Sequence, residues 1–281
     1  MPNVQSDDLT GVSETLLIPL HYRVEESKSD STPFKGEVAE RFAERFDDSI
    51  AYDWGKFHGE SLLRGVMPIR TAILDDEVRE FLAKAPDGLV VNLGAELDTR
   101  FYRVDNGTVE WIELDLPAVI ALRRKLQEPE NARHRLLAAS VLDDQWVATV
   151  KPLATKRVLL VAEGLLPYFS EEEHRRIFGY LAANFPGQNM LFQTSAPSLT
   201  RGLIQHSDLP KMRSKLEIRW GLDDSRQVTS LDPNVEFIRE FPLTEGHFDV
   251  LPEQIRQKLT PAMAKNIAKM VLVRFKQPRS V

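Results

Sequence analysis

Residues 89–100 read Leu89-Val90-Val91-Asn92-Leu93-Gly94-Ala95-Glu96-Leu97-Asp98-Thr99-Arg100. A short apolar run closed by a glycine suits a parallel strand buried on both faces. Gly94 then allows the tight turn and close backbone approach that a nucleotide-like ligand requires. Outward from this stretch the pattern alternates. Strands are expected at Thr108–Leu114, Arg135–Ala139, Arg157–Ala162, Met190–Thr194 and Met270–Phe275. Between them lie helical patterns: one opened by Pro117, and one started by the capping box of Ser170 and Glu173 and stopped by Pro186-Gly187. Before the first strand, Pro68 is expected in the first turn of a helix that runs to Lys84 and stops at Ala85-Pro86-Asp87-Gly88. Strands alternating with helices predict a mostly parallel α/β sheet.

The flanking segments read differently. Residues 11–48 carry two short helical patterns, and Asp53–Gly65, with Trp54, Phe57 and His58 among glycines, reads as a loop. From Ser195 to Leu231 the strand–helix rhythm is lost and charge increases, which predicts an inserted helical segment.

The whole chain of 281 residues holds 36 Lys+Arg against 42 Asp+Glu, a formal net charge of −6. That acidity argues against a nucleic-acid partner. Arg123-Arg124-Lys125 reads as a solvated helix face. No apolar run approaches the ~18–20 residues of a membrane span. Leu16–Leu20 is too short for a signal-peptide core and has no basic lead-in, so a soluble, cytoplasmic protein is expected. With no cysteine there is no disulfide, thiolate site or Cys nucleophile, and the six histidines show no i,i+4 pair, so no metal is expected. The residues do not specify an oligomeric state.

In an open α/β sheet, ligands bind beyond the carboxyl ends of the strands. There stand Gly94 after the first strand, Glu113 and Asp115 at the end of the second, and Glu163-Gly164 after the fourth. The two carboxylates of the second strand lie at the offset from Gly94 that reaches ribose hydroxyls. The dinucleotide fingerprint is not met, because Glu96 and Thr99 replace its second and third glycines. A nicotinamide oxidoreductase is weakened accordingly.

Asn92–Arg103 (NLGAELDTRFYR) resembles the N-L-G-A-G-x-D-T-R-x-x-R signature of the leucine carboxyl methyltransferase family, and more narrowly its bacterial branch of polyketide-biosynthesis O-methyltransferases. The similarity continues through Glu113-Leu114-Asp115-Leu116-Pro117 and Val161–Tyr168 (VAEGLLPY), with weaker matches at Glu14–Leu17 and Arg219–Asp224. The resemblance implies a Rossmann-like class I methyltransferase: a mostly parallel seven-stranded sheet with helices on both faces, an N-terminal helical cap and an inserted helical lid. It implies a single domain with the cap at 1–64, the cofactor-binding core at 65–194, the lid at 195–250 and a final helix and strand at 251–281.

It also implies S-adenosyl-L-methionine as cofactor and a small-molecule acceptor, methylated on a carboxylate or hydroxyl. Carried over by position, Arg70 would pair with the methionine carboxylate, and Gly94 would let the cofactor pass over the turn. Asp115 would hold the ribose, Ser140 and Val141 would meet the adenine, and Glu163 would lie near the methionine amino group. Each has a structural alternative: Gly94 a plain turn, Asp115 a helix cap, Arg70 a surface residue, Glu163 a cap for nearby amides. Tyr168 is either an acceptor-pocket residue or a core tyrosine. No catalytic residue is assigned; His58 and His206 are the histidines to test as bases. Two positions depart from the family: Glu96 stands where it usually has Gly, and Ser140 where it usually has Asp. These departures keep open a non-catalytic binding protein of the same fold, and a protein C-terminus remains an alternative acceptor.

Overall fold

A computed structural model describes Val4 and residues 16–28, 36–46, 62–126, 129–197, 218–242, 253–258 and 268–277. Helices α1 (Leu17–Ser27), α2 (Glu37–Ala43) and α3 (Leu62–Lys84) precede the first strand. Then come β1 (Leu89–Leu93), α4 (Arg100–Val104), β2 (Glu110–Asp115), α5 (Pro117–Leu126), β3 (His134–Ala138), α6 (Gln145–Val150) and β4 (Val158–Ala162). They are followed by α7 (Glu171–Asn184), β5 (Asn189–Thr194), β6 (Val235–Pro242), α8 (Glu253–Lys258) and β7 (Lys269–Phe275). The strands form one seven-stranded sheet in the order β3-β2-β1-β4-β5-β7-β6. The first five run parallel, and β7 lies antiparallel between β5 and β6. The order reverses between β1 and β4, and in such sheets the crevice beyond that switch point holds the ligand.

Burial on both faces explains the apolar strands. Leu89, Val91 and Leu93 pack with Trp146 and Phe178 on one side, while Val90 packs with Ile69, Val78 and Phe101 on the other. A third cluster joins Leu17, Leu20 and Phe42 of the N-terminal helices to Leu97 and to Leu122 of α5. The N-terminal helices therefore pack beside the turn that follows β1.

Several expectations change. Pro68 lies inside α3, whose helical backbone begins at Leu62, so residues 62–65 are helix rather than loop; residues 53–61 lie outside the described part. Strand β2 starts later than expected because the Asn106 side chain accepts from the backbone N–H groups of Thr108 and Val109. In the expected helical insert, residues 218–224 are not helical and Ser225–Ser230 makes a short 3-10 stretch; residues 198–217 lie outside the described part. Residues 235–242, placed within the lid by position, are strand β6. The capping box is formed: Glu173 N–H donates to Ser170 Oγ and Ser170 N–H to Glu173 Oε2. Among the described residues no helix is long and apolar enough to cross a membrane.

Candidate cofactor site

The turn after β1 explains its glycine. Gly94 sits at φ +65°, and its N–H and that of Ala95 both donate to Leu114 O, tying the turn to the end of β2. A Cβ on Gly94 would stand 2.7 Å from Leu165 Cδ1, in the loop after β4. The backbone conformation thus calls for glycine here, and a Cβ would also have to displace the Leu165 side chain. Two residues on, Glu96 also takes a positive φ, +44°, unusual for a residue with a side chain. Its backbone is pinned at both ends: its N–H donates to Asp115 Oδ2 at 2.7 Å, and its carbonyl accepts from Arg123 Nη1 at 2.7 Å.

The structure separates the two carboxylates of β2. Glu113 is fully buried and accepts from Asn92 Nδ2 at 2.9 Å, with Arg123 Nη2 at 3.1 Å and His134 Nε2 at 3.4 Å. It is a core anchor. Asp115 lies at the strand tip, its Oδ1 accepting from Leu116 N–H and its Oδ2 from Glu96 N–H. Burial raises its carboxyl above the ordinary range against the pull of those amides. Arg123 is likewise not a solvated charge: it is wholly buried, and its guanidinium also reaches Asp98 O at 3.1 Å.

Across the crevice, Glu163 closes β4 beside Arg70 of α3, with Arg70 Nε 2.7 Å from Glu163 Oε1. Arg70 Nη1 donates to Gln193 Oε1 of β5 at 3.1 Å. Gly164 sits at φ +64°, and a Cβ there would meet Arg70 Nη1 only at an ordinary contact distance of 3.6 Å, so the backbone conformation rather than space calls for glycine. Arg70 is therefore buried, and the expectation of a carboxylate-pairing arginine acquires a partner that sequence position did not give.

Glu163 is the hub of a buried charge network. Arg100 donates through Nη2 to Glu163, through Nη1 to Asp98 and through Nε to Asp75 of α3 at 3.0 Å. Arg103 grips Asp75 with two further hydrogen bonds of 2.6 and 3.0 Å. Arg23, from α1, lies 3.4 Å from Glu163 Oε1 and 3.7 Å from Asp98 Oδ1. Burial alone would raise the Glu163 carboxyl, but the charges of Arg70, Arg100 and Arg23 outweigh it and hold it down at about 2. Asp98 is held well below the usual carboxylate range in the same way, by Arg100, Arg23 and Arg103 against burial. Asp75, Asp98, Arg100, Arg103 and Arg23 had no assigned role from sequence. The D-T-R-x-x-R pattern was the available signal for three of them; Arg23 and Asp75 lie on other helices and carry none.

The remaining expected residues lie further along the rim. Ser140 follows β3; its N–H faces Asp143 Oδ2 at 3.3 Å and its Oγ accepts from Leu142 N–H. The carboxylate absent at position 140 is thus present three residues later, turned back on the same loop. Val141 is buried in the main core, and its carbonyl accepts from Trp146 Nε1. The structure brings Arg70 and Glu163 into contact and joins Gly94, Glu96 and Asp115 in one turn. No contact joins Ser140 or Val141 to the Arg70–Glu163 pair among the described residues. His58 and His206 lie outside those residues.

Two observations fit the cofactor that the resemblance implies. Thr194 Oγ1 is buried at this end of the sheet with no hydrogen-bond partner among the described residues. The side-by-side guanidinium and carboxylate of Arg70 and Glu163 also match the two charges of an amino-acid headgroup. Residues 219–222 run across the same end: Arg219 and Trp220 donate to Pro167 O, and Leu222 to Ser195 O. A cavity of about 630 Å³ lies against this segment, bounded by Pro197, Trp220, Leu222, Gln227 and Leu231; Arg70, Gly94, Asp115 and Glu163 do not line it.

The leucine carboxyl methyltransferase family matches residues 18–182. The tetracenomycin polyketide synthesis O-methyltransferase TcmP of Streptomyces glaucescens is 31% identical over 85% of this chain and 86% of its own. The S-adenosyl-L-methionine-dependent methyltransferase dpfgK of Gibberella zeae is 26% identical over 82% of this chain and 81% of its own. Among solved structures, a SAM-dependent methyltransferase from Anabaena variabilis shares the fold, with a TM-score of 0.51 and 12% identity over 74% of this chain and 85% of that one. The strand order and these matches give a Rossmann-like class I methyltransferase fold, and the chain belongs to the leucine carboxyl methyltransferase family.

Proposed function

We propose that this methyltransferase transfers a methyl group from S-adenosyl-L-methionine to an oxygen of a small molecule, a carboxylate or hydroxyl of a polyketide-like or other secondary metabolite. The observation that carries the reading is the crevice between β1 and β4, where an arginine–carboxylate pair faces a glycine turn and a strand-tip aspartate. When bound, the cofactor supplies an electrophilic methyl group on a sulfonium sulfur, open to in-line attack.

The chain's own residues bind and orient. The Arg70 guanidinium takes the amino-acid carboxylate and the Glu163 carboxylate the ammonium. Asp115 accepts from the ribose hydroxyls with the lone pairs its two amide donors leave free. Gly94 keeps the turn clear of a side chain, and the loop of Ser140 and Val141 borders the adenine. Helices α1 and α2, with the segment around Trp220, cover the acceptor side and hold it in line. The charge network fixes these groups, so alignment is built into the fold before any ligand arrives.

A carboxylate acceptor is ionised at neutral pH and needs no base. Tyr168 is not one: burial and the neighbouring Glu96 push its phenol up to about 12, so it remains an O–H donor. The first point favours a carboxylate over a hydroxyl. The test is methyl transfer from labelled S-adenosyl-L-methionine to a panel of small carboxylic acids and phenols, reading base-labile esters against stable ethers. Ester formation supports the reading in full and ether formation moves it to the hydroxyl. Tight cofactor binding with no transfer to any acid or phenol would leave a binding protein instead.

A further inference from the structure

Glu96 departs from the glycine of the family signature that the sequence resembles, and it takes a positive φ in the turn with its side chain in place. Its φ of +44° and the two backbone hydrogen bonds, to Asp115 and from Arg123, fix the direction in which its side chain leaves the backbone. The turn that carries it is hydrogen-bonded to Asp115 at the tip of β2, and its half-buried carboxylate is within electrostatic range of Arg70 of α3, Arg23 of α1, and Glu163 and Tyr168 after β4. It therefore stands between the ribose end of the proposed site, marked by Asp115, and its amino-acid end, marked by Arg70 and Glu163. In S-adenosyl-L-methionine the atom joining those two ends is sulfur. The methyl donor carries a positive charge on that sulfur; the demethylated product, S-adenosyl-L-homocysteine, carries none.

We propose that Glu96 is a specificity-determining residue that favours the sulfonium form of the cofactor over its neutral product, so that the product is released once the methyl group has gone. The inference rests on the methyltransferase reading above and adds to it a residue that sets which form of the cofactor is held. At an effective dielectric of about 20, a carboxylate about 12 Å from a unit positive charge is worth about tenfold in affinity, and a closer one more.

The surroundings of Glu96 supply a second signature. Burial and the adjacent Asp115 push its carboxyl up to about 7, with Arg70 and Arg23 pulling the other way. Near neutral pH the group is therefore partly protonated, and a cation arriving beside it expels the proton. Binding of the donor should release a fraction of a proton, and binding of the product should not.

The experiment is calorimetric titration of the full chain with each of the two ligands, in two buffers of different ionisation enthalpy, at about pH 6 and about pH 8. Wild type, Glu96→Gln and Glu96→Gly are compared; the glycine variant suits the positive φ, so the comparison does not hang on one substitution folding. The expected result is a donor-over-product preference that grows with pH in wild type, falls at least about tenfold in both variants, and loses its proton release with it. Variants that keep the wild-type preference and proton release, or that lose both ligands equally, overturn the proposal while leaving the methyltransferase reading in place. A wild-type chain that binds neither ligand overturns both.

Discussion

The Arg100 guanidinium ends on the Glu163 carboxylate, linking α4, which follows β1, to the loop that follows β4 across the reversal point of the sheet. Both groups are buried, and Arg100 also holds Asp75 and Asp98. The crevice walls are therefore tied to each other through charge as well as through the strands between them.

Breaking that tie should be costly. Arg100→Met leaves three buried carboxylates short of a partner, and such a loss destabilises by about 3–5 kcal/mol. Chemical denaturation should show the drop in midpoint. The exposed Arg79–Asp76 pair is the control: Arg79→Ala should change stability by less than about 1 kcal/mol.

Acid should act through the same network. The folded Glu163 carboxyl lies near 2, below its ordinary value of 4.5, so it contributes stability that is present above about pH 4.5 and lost as pH falls toward 2. Asp98 shifts in the same direction and adds to the loss. Glu163→Gln should flatten the acid limb of a plot of unfolding free energy against pH, at lower overall stability.

Glu96 has the opposite sign. Its folded carboxyl is raised from 4.5 to about 7, so its contribution is fully present below about pH 4.5 and lost as pH rises through 7. Glu96→Gln should remove that decline across the neutral range. Glu96→Gly should also relieve the positive φ, which costs a residue with a side chain about 1–2 kcal/mol.

Gly94→Ala tests the turn. The new Cβ meets both a left-handed backbone and Leu165 at 2.7 Å, so a loss of about 2–3 kcal/mol is expected in thermal unfolding, together with weaker cofactor binding. Gly107→Ala is the comparison, because its Cβ meets nothing within 4 Å and only the backbone term remains, although Gly107 too has a positive φ.

Much of the frame could be read directly. Leu89–Leu93, Gly94 and the capping box of Ser170 and Glu173 are local signals, and local geometry obeyed them. Roles that depend on distant partners leave no local signal. Arg123 reads as one of three exposed charges, yet it alone turns inward to Glu113, because that pairing is set by how α5 lies on β2. Arg100 pairs with Asp75 and Glu163, 25 and 63 positions away, and no local pattern announces such pairs. Strand β6 escaped notice because, as an edge strand with exposed Glu236, Arg239 and Glu240, it lacks the apolar run of its buried neighbours. Pro68 suits a helix start, where proline is best tolerated; here the helix runs through it.

The most direct measurement is calorimetric titration of wild type and Asp115→Ala with S-adenosyl-L-homocysteine and with NAD. Saturable binding of the first ligand is expected, weakened at least about tenfold by Asp115→Ala, with no heat from NAD. No binding of S-adenosyl-L-homocysteine to the wild-type chain, or equal binding of NAD, would contradict it.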